Sequence, residues 1–318
     1  MQGFHRIADF RIVPLQPYDF GLTVRKPAGW HWFTPFEEWK DGVIRTGSWF
    51  TLGPGRKVPL GVRAGMTGRE IRVDVYAERG LDREDTATVR RRMVKALGAE
   101  EDLRPLYRLM RKHGILKHLV RRLYGMREAW NYEIFPSLSL AVLLQMAPIK
   151  RSEEMWRCLI GKFGRKIRFD RASVLLWPSE EKIAGLTRRD LDPCRLGYRA
   201  KNLLRLSRQL LKGFPSADDL AALSGEEARE KLTGLFGIGE YSAGFASPHP
   251  SFTLDVWSVK IFHRLLFGKP APKDDPRSAI GKTARRAERL WGDWRGYILT
   301  YVLNDLEFLE KKFGITAS

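Results

Sequence analysis

Leu232-Thr233-Gly234-Leu235-Phe236-Gly237-Ile238-Gly239-Glu240-Tyr241-Ser242-Ala243-Gly244-Phe245 is the stretch from which the rest of the chain is read. Helical periodicity lies on both sides of it, so the turn between is short and built from glycine. Without a Cβ, Gly237 and Gly239 let the backbone turn tightly and come close to a ligand. A helix restarting at Glu240 points its first amides back into the turn. Free N–H groups and the positive end of a helix dipole favour an anion there. A second loop follows, broken by Pro248 and Pro250, and it delivers a single carboxylate, Asp255, to the head of a new apolar helix. The hairpin spans 232–245 and the aspartate loop 246–256.

These residues do not stand alone. Leu232, Leu235, Gly237-Ile238-Gly239, Ala243 and Asp255 together resemble the helix-hairpin-helix DNA glycosylases, those with a glycine/proline-rich loop and an essential aspartate (HhH-GPD). Gly197-Tyr198-Arg199-Ala200-Lys201 resembles the glycine-start helix that precedes the hairpin. The run Ala287 to Tyr297, with Trp291-Gly292-Asp293-Trp294, resembles the helix pair closing the alkylpurine (AlkA-like, 3-methyladenine DNA glycosylase II) branch. The resemblance covers roughly Arg90 to Phe308. A Gly-x-Gly turn by itself carries little; the hairpin, the spacing and the aspartate together are fairly specific.

Composition sets the outer limits. The 318 residues can bury a core without staples, in one large domain or several small ones. Lys and Arg number 56 against 37 Asp and Glu, a net charge of +19. That excess points to a polyanion, nucleic acid before membrane, although a generally cationic surface or a thermophile's charge usage gives the same count. No apolar run approaches the roughly 18 residues of a spanning helix, and Met1–Phe20 has no signal-peptide core, so an intracellular protein is expected. Cys158 and Cys194 are the only cysteines, far apart, so neither a disulfide framework nor a zinc spacing is expected. No cysteine follows Cys194, which excludes the four-cysteine iron–sulfur loop of some helix-hairpin-helix glycosylases.

Taken in order, the chain predicts an α+β protein: an N-terminal antiparallel sheet domain over 1–83, then a mostly α-helical glycosylase core over 84–318. Phe10–Val13, Val43–Thr51, Val58–Arg63 and Ile71–Tyr76 read as strands, separated by turn clusters such as Gly53-Pro54-Gly55. Trp30, Trp32, Trp39 and Trp49 concentrate here and read as packing under the sheet. From Glu84 the pattern is helical throughout, with Asp85 or Thr86 as the first cap. Lys112 to Arg122 is strongly basic and either tracks phosphates or is a solvated face. Ser137 to Met146 is an apolar helix.

The resemblance implies roles. The damaged nucleotide is flipped out of the duplex. Gly237 and Gly239 grip a phosphate, with room for a monovalent cation at the hairpin as in relatives, and no other cofactor is expected. Gln145-Met146 enters the gap in the stack, Met146 as an apolar, flexible wedge; as a plain core residue it would instead be buried. Lys201 joins these as a DNA-binding residue. Asp255 stabilises the positive charge that develops on the sugar, or it is an ordinary N-cap. Tyr241 and Phe245 lie one turn apart, on a face that lines an aromatic pocket in alkylpurine relatives, with Trp257 as a further contributor; the alternative is aromatic core. Relatives that also cut the strand carry a lysine where Tyr241 stands, and no lysine occurs between Lys231 and Lys260, so a monofunctional enzyme is expected. The expected partner is double-stranded DNA containing damaged, alkylated bases, without membrane, bound by a monomer. The rival readings are a glycosylase for oxidised, deaminated or mismatched bases, and a DNA-binding protein that does no chemistry.

Overall fold

The structure is a computed structural model that describes residues 3–53, 55–129, 132–272 and 274–316; Pro54 of the expected turn cluster lies outside them. The N-terminal strands are β1 (His5–Ile12), β2 (Glu38–Lys40), β3 (Val43–Leu52), β4 (Arg56–Thr67) and β5 (Glu70–Ala77), with a short helix α1 (Phe20–Val24) after β1. Helices follow: α2 (Arg83–Ala96), α3 (Arg104–Arg111), α4 (Leu116–Arg122), α5 (Ile134–Leu144) and α6 (Ile149–Phe163). Strands β6 (Lys166–Phe169) and β7 (Ala172–Leu175) intervene. Then come α7 (Glu180–Ala184), α8 (Arg188–Leu191), α9 (Arg199–Leu210), α10 (Ala217–Ala222), α11 (Gly225–Thr233) and α12 (Glu240–Ala246). The chain closes with α13 (Ser258–Phe267), α14 (Pro276–Trp291), α15 (Arg295–Asn304) and α16 (Leu306–Phe313). An N-terminal antiparallel sheet and a mostly helical remainder are therefore present, as the pattern predicts.

Contacts divide the chain into two compact units. The first comprises Met1–Leu15, His31–Glu100 and Ala129–Pro248; the second comprises Gln16–Trp30, Glu101–Glu128 and His249–Ser318.

In the first unit the sheet runs β1-β5-β4-β3-β2, each pair antiparallel. Alternation explains it: Ile71, Val73 and Val75 on β5 and Leu60, Val62 and Ala64 on β4 are fully buried. The first half of β1 escapes a sequence reading because a register shift between Arg6 and Ala8 breaks its alternation. Gly47 on β3 lies opposite Gly61 on β4. A Cβ on Gly61 would fall 2.6 Å from the Phe169 ring, and one on Gly47 2.8 Å from Leu176. The two glycines thus clear a floor on which Ile167, Phe169, Val174 and Leu176 pack.

That β6–β7 hairpin corrects the expectation of helix throughout from Glu84. Its strands alternate, and its turn, Asp170-Arg171, has positive φ at both residues (44° and 64°), the geometry of a two-residue hairpin. A second correction concerns the cysteines. Cys158 on α6 and Cys194 in the 3-10 turn after α8 are joined in a disulfide with Cα atoms 5.3 Å apart. Sequence distance misleads here because α6 packs on that turn. The cap of α2 is also reassigned. Asp82 accepts from the Asp85 amide at 2.7 Å, while the Asp85 side chain is buried and paired with Arg56.

In the second unit the core gathers Leu106, Met110, Leu119 and Leu123 with Phe262, Ala287, Trp291, Ile298 and Val302. Two buried tyrosines satisfy each other inside it: Tyr107 and Tyr301 are linked through their hydroxyls at 3.0 Å, and Tyr301 donates to the Met126 carbonyl at 2.9 Å.

Candidate functional site

The hairpin lies in the first unit. Ser224 starts α11 with a capping box completed by Glu227. The turn then runs to Gly239. Leu235 and Ile238 are buried and anchor it, and the Ile238 amide donates to the Leu235 carbonyl at 3.1 Å. Gly237 has φ +78°, and a Cβ there would sit 2.8 Å from Asn202 Nδ2 on α9, so both conformation and space demand glycine. Gly239 differs: its backbone is extended, and nothing lies within 4 Å of where its Cβ would be. The Phe236 amide donates to Gln209 Oε1 at 2.7 Å, and Arg205 lies over the Phe236 ring at 4.5 Å.

Helix α12 packs on α5, burying Ser242, Ala243 and Ala246. Tyr241 faces outward at 36% exposure, and Phe245, one turn on, is half-buried.

The end of α5 is fastened to this turn. Gln145 Nε2 donates to the Gly237 carbonyl at 2.8 Å and to Ser242 Oγ at 3.2 Å. The Gln145 carbonyl in turn accepts from the Tyr198 hydroxyl at 3.3 Å and from the guanidinium of Arg199, which is itself buried against the Tyr198 ring. Held on both sides, the chain places Met146 at φ 48° and 93% exposed. A left-handed conformation costs a non-glycine residue about 1 kcal/mol, which the surrounding bonds offset. The core alternative for Met146 is thereby removed. Pro148 then opens α6. Lys201 is exposed on α9, just past Arg199.

Asp255 lies in the second unit. Leu254 on one side and Val259 on the other are buried in that unit's core, and Asp255 itself is partly exposed. Its Oδ1 accepts from the Trp257 amide at 3.1 Å, the Ser258 amide at 2.7 Å and the Ser258 hydroxyl at 2.7 Å. The Asp255 amide donates to Ser258 Oγ at 2.8 Å. Asp255 therefore caps the turn that opens α13, and among the described residues Oδ2 receives no donor. Trp257 beside it is 48% exposed. The loop before it is seated by Gly296 on α15, where a Cβ would fall 2.6 Å from the Pro250 backbone.

Of the residues singled out in the sequence, Gln145, Met146, Lys201, Gly237, Gly239, Tyr241 and Phe245 belong to the first unit, and Asp255 and Trp257 to the second. A direct bond joins Gln145 to Gly237. Sequence reading missed Asn202, Ser258 and Gly296 as supports. The signal for Ser258 was available, since an acceptor three residues after a capping aspartate is capping-box spacing. Among the described residues no group of three or more His, Cys, Asp or Glu side chains is placed to hold a metal. The turn offers carbonyl oxygens, the ligand type of a hard cation, although those of Leu235 and Gly237 already accept bonds. No described helix is long and apolar enough to cross a membrane.

The fold, an N-terminal antiparallel sheet followed by a mostly helical remainder, is shared with solved DNA glycosylases. No family model matches the chain. It is similar to the 3-methyladenine DNA-glycosylase from Archaeoglobus fulgidus, with a TM-score of 0.72 and 22% identity over 94% of this chain and 99% of that one. It is also similar to the Clostridium acetobutylicum 8-oxoguanine glycosylase/lyase in complex with double-stranded DNA, with a TM-score of 0.61 and 16% identity over 87% and 99%. In sequence it is 22% identical over 213 residues to the DNA-3-methyladenine glycosylase of Bacillus subtilis (strain 168), covering 64% of this chain and 67% of that protein.

Proposed function

We propose that this chain is a DNA glycosylase of base excision repair that flips a damaged, alkylated purine out of the duplex, hydrolyses its N-glycosidic bond and leaves the strand intact. One observation carries the reading: Met146 is held almost fully exposed by a chain end fastened to the glycine hairpin. An apolar side chain fixed in solvent at such a cost fits insertion into a base stack. The hairpin amides and Lys201 then grip the backbone, and the +19 charge supplies the general attraction. A monovalent cation at the hairpin would be held by carbonyl oxygens of the 234–239 turn and would add positive charge beside the phosphate.

The chemistry falls to Asp255. As the glycosidic bond breaks, its electron pair leaves with the base and positive charge grows on the sugar. The carboxylate stabilises that charge and orients the water whose oxygen bonds to C1′; the proton that water loses goes to the departing nitrogen of a neutral base, or to Asp255 and then solvent when a cationic base leaves neutral. Tyr241, Phe245 and Trp257 supply aromatic surface suited to an electron-poor or cationic base. The names of the Archaeoglobus and Bacillus relatives agree with an alkylated purine.

A second reading, removal of an oxidised purine, draws on the likeness to the Clostridium 8-oxoguanine enzyme. The deciding experiment is base release from a panel of duplexes carrying alkylated, oxidised, deaminated or mismatched bases. Release of alkylated purines is expected. Release of 8-oxoguanine alone would transfer the reading to the second. Tight binding to abasic-site DNA with no release from any duplex would make the protein a binder without chemistry.

A further inference from the structure

We infer that Ser258 is a positioning residue for Asp255, an inference that rests on Asp255 being the catalytic carboxylate. An ordinary N-cap needs one bond, from a backbone amide of the first turn to the side-chain oxygen. Here the cap is doubled. The Ser258 amide and the Ser258 hydroxyl both reach Oδ1 at 2.7 Å, and the same hydroxyl oxygen accepts the Asp255 amide at 2.8 Å. A hydroxyl has a single proton and two lone pairs. Its proton goes to Oδ1 because a carboxylate oxygen only accepts, while one of the hydroxyl's lone pairs receives the Asp255 N–H. Ser258 is buried, so water does not compete for either bond.

The consequence is directional. With the Trp257 amide as a third donor, every donor among the described residues falls on Oδ1, which restrains the rotation of the carboxylate about its Cβ–Cγ bond. Oδ2 is left as the oxygen open to a ligand. Without the hydroxyl the Trp257 and Ser258 amides would still hold Asp255 at the head of the helix, but the side-chain donor that helps fix the rotation of its carboxylate would be gone. Serine here takes the part of the Glu or Gln usual at this capping-box position, accepting the amide of the capping residue, and its hydroxyl also donates to the capping side chain, which a Glu carboxylate could not.

The test is single-turnover base release by the whole protein, from the best duplex of the lesion panel, for wild type, Ser258→Ala, Ser258→Thr, Asp255→Asn and Ser258→Ala/Asp255→Asn. Affinity for an abasic-site duplex and melting temperature are measured alongside. Ser258→Ala should fold, bind abasic-site DNA as wild type does, and release base about tenfold more slowly, the effect of one hydrogen bond to a charged group. Ser258→Thr, which retains the hydroxyl, should recover most of that rate. In the Asp255→Asn background the alanine change should cost no further rate, because the group it positions is gone. If Ser258→Ala fails to fold, Ser258→Cys, a near-isostere with a weak donor, should show the same loss of rate. A folded Ser258→Ala or Ser258→Cys at wild-type rate overturns the inference, as does an equal loss with and without Asp255. Base release by Asp255→Asn at wild-type rate would instead overturn the reading of Asp255, and this inference with it.

Discussion

The side-chain amide of Gln145 donates to the carbonyl of Gly237 at 2.8 Å, tying the last residue before Met146 to the tightest point of the hairpin turn. The proposed wedge and the turn proposed to grip the backbone are therefore tied together. Met146→Ala should weaken binding to abasic-site DNA about tenfold or more and leave intact-duplex binding nearly unchanged, because the wedge fills space only where a base is missing. Fluorescence anisotropy with both duplexes checks this, and equal losses on the two would remove Met146 from the wedge role.

The two hairpin glycines should separate in their response to alanine. At Gly237 the left-handed φ and the 2.8 Å approach to Asn202 penalise any Cβ, so Gly237→Ala should lower stability by about 1–3 kcal/mol. At Gly239 a Cβ meets nothing and the backbone is extended. Gly239→Ala should melt like wild type yet bind DNA several-fold more weakly, if its methyl occupies the space proposed for a phosphate. Melting curves and DNA titrations decide; unchanged binding by Gly239→Ala would mean that DNA does not approach that face.

Much of this was legible in the sequence, for definite reasons. The alternation of β5, the apolar run of α5 and the Gly-x-Gly turn each have a local signature, although α5 covers Ile134–Leu144 rather than Ser137–Met146. What was not legible is non-local. The opposed pair Gly47 and Gly61 makes sense only once Phe169 is seen resting on it, and Cys158 and Cys194 pair only because α6 packs on the turn after α8. The β6–β7 hairpin was missed because its strands are short and Asp170-Arg171 lacks the glycine that usually marks such a turn. At the site, Asp255 was readable by motif, but its orientation depends on Ser258, whose role is visible only from the direction of its hydrogen bonds.

Product strands should remain unbroken until treated with alkali, and borohydride should trap no protein–DNA adduct. The ground is Tyr241 in the position of the strand-cutting lysine, with no lysine from 232 to 259. Denaturing gels with and without alkali check it. A trapped adduct would show that a lysine elsewhere reaches C1′.

Stability should depend on Glu101. Its carboxyl is pushed up to about 7, by burial first and then by the neighbouring Glu128. The folded state therefore holds a proton that the unfolded chain releases near 4.5, and stability falls as pH rises from there through about 7. Glu101→Gln removes that dependence. The variant should match wild type at pH 4.5 and exceed it by about 1–2 kcal/mol at pH 8. Denaturant melts at both pH values check the sign; an equal change at both would assign the effect to packing.

The central claim is that Asp255 does chemistry as well as capping a helix, and single-turnover base release by Asp255→Asn tests it most directly. Asparagine keeps the size and an oxygen able to accept the Ser258 amide, so the fold should survive, as its melting temperature will report. The negative charge is lost, and the rate should fall by about 10²–10³ while DNA affinity holds or tightens. A folded Asp255→Asn that releases the base at the wild-type rate would contradict the account and leave Asp255 as a cap alone.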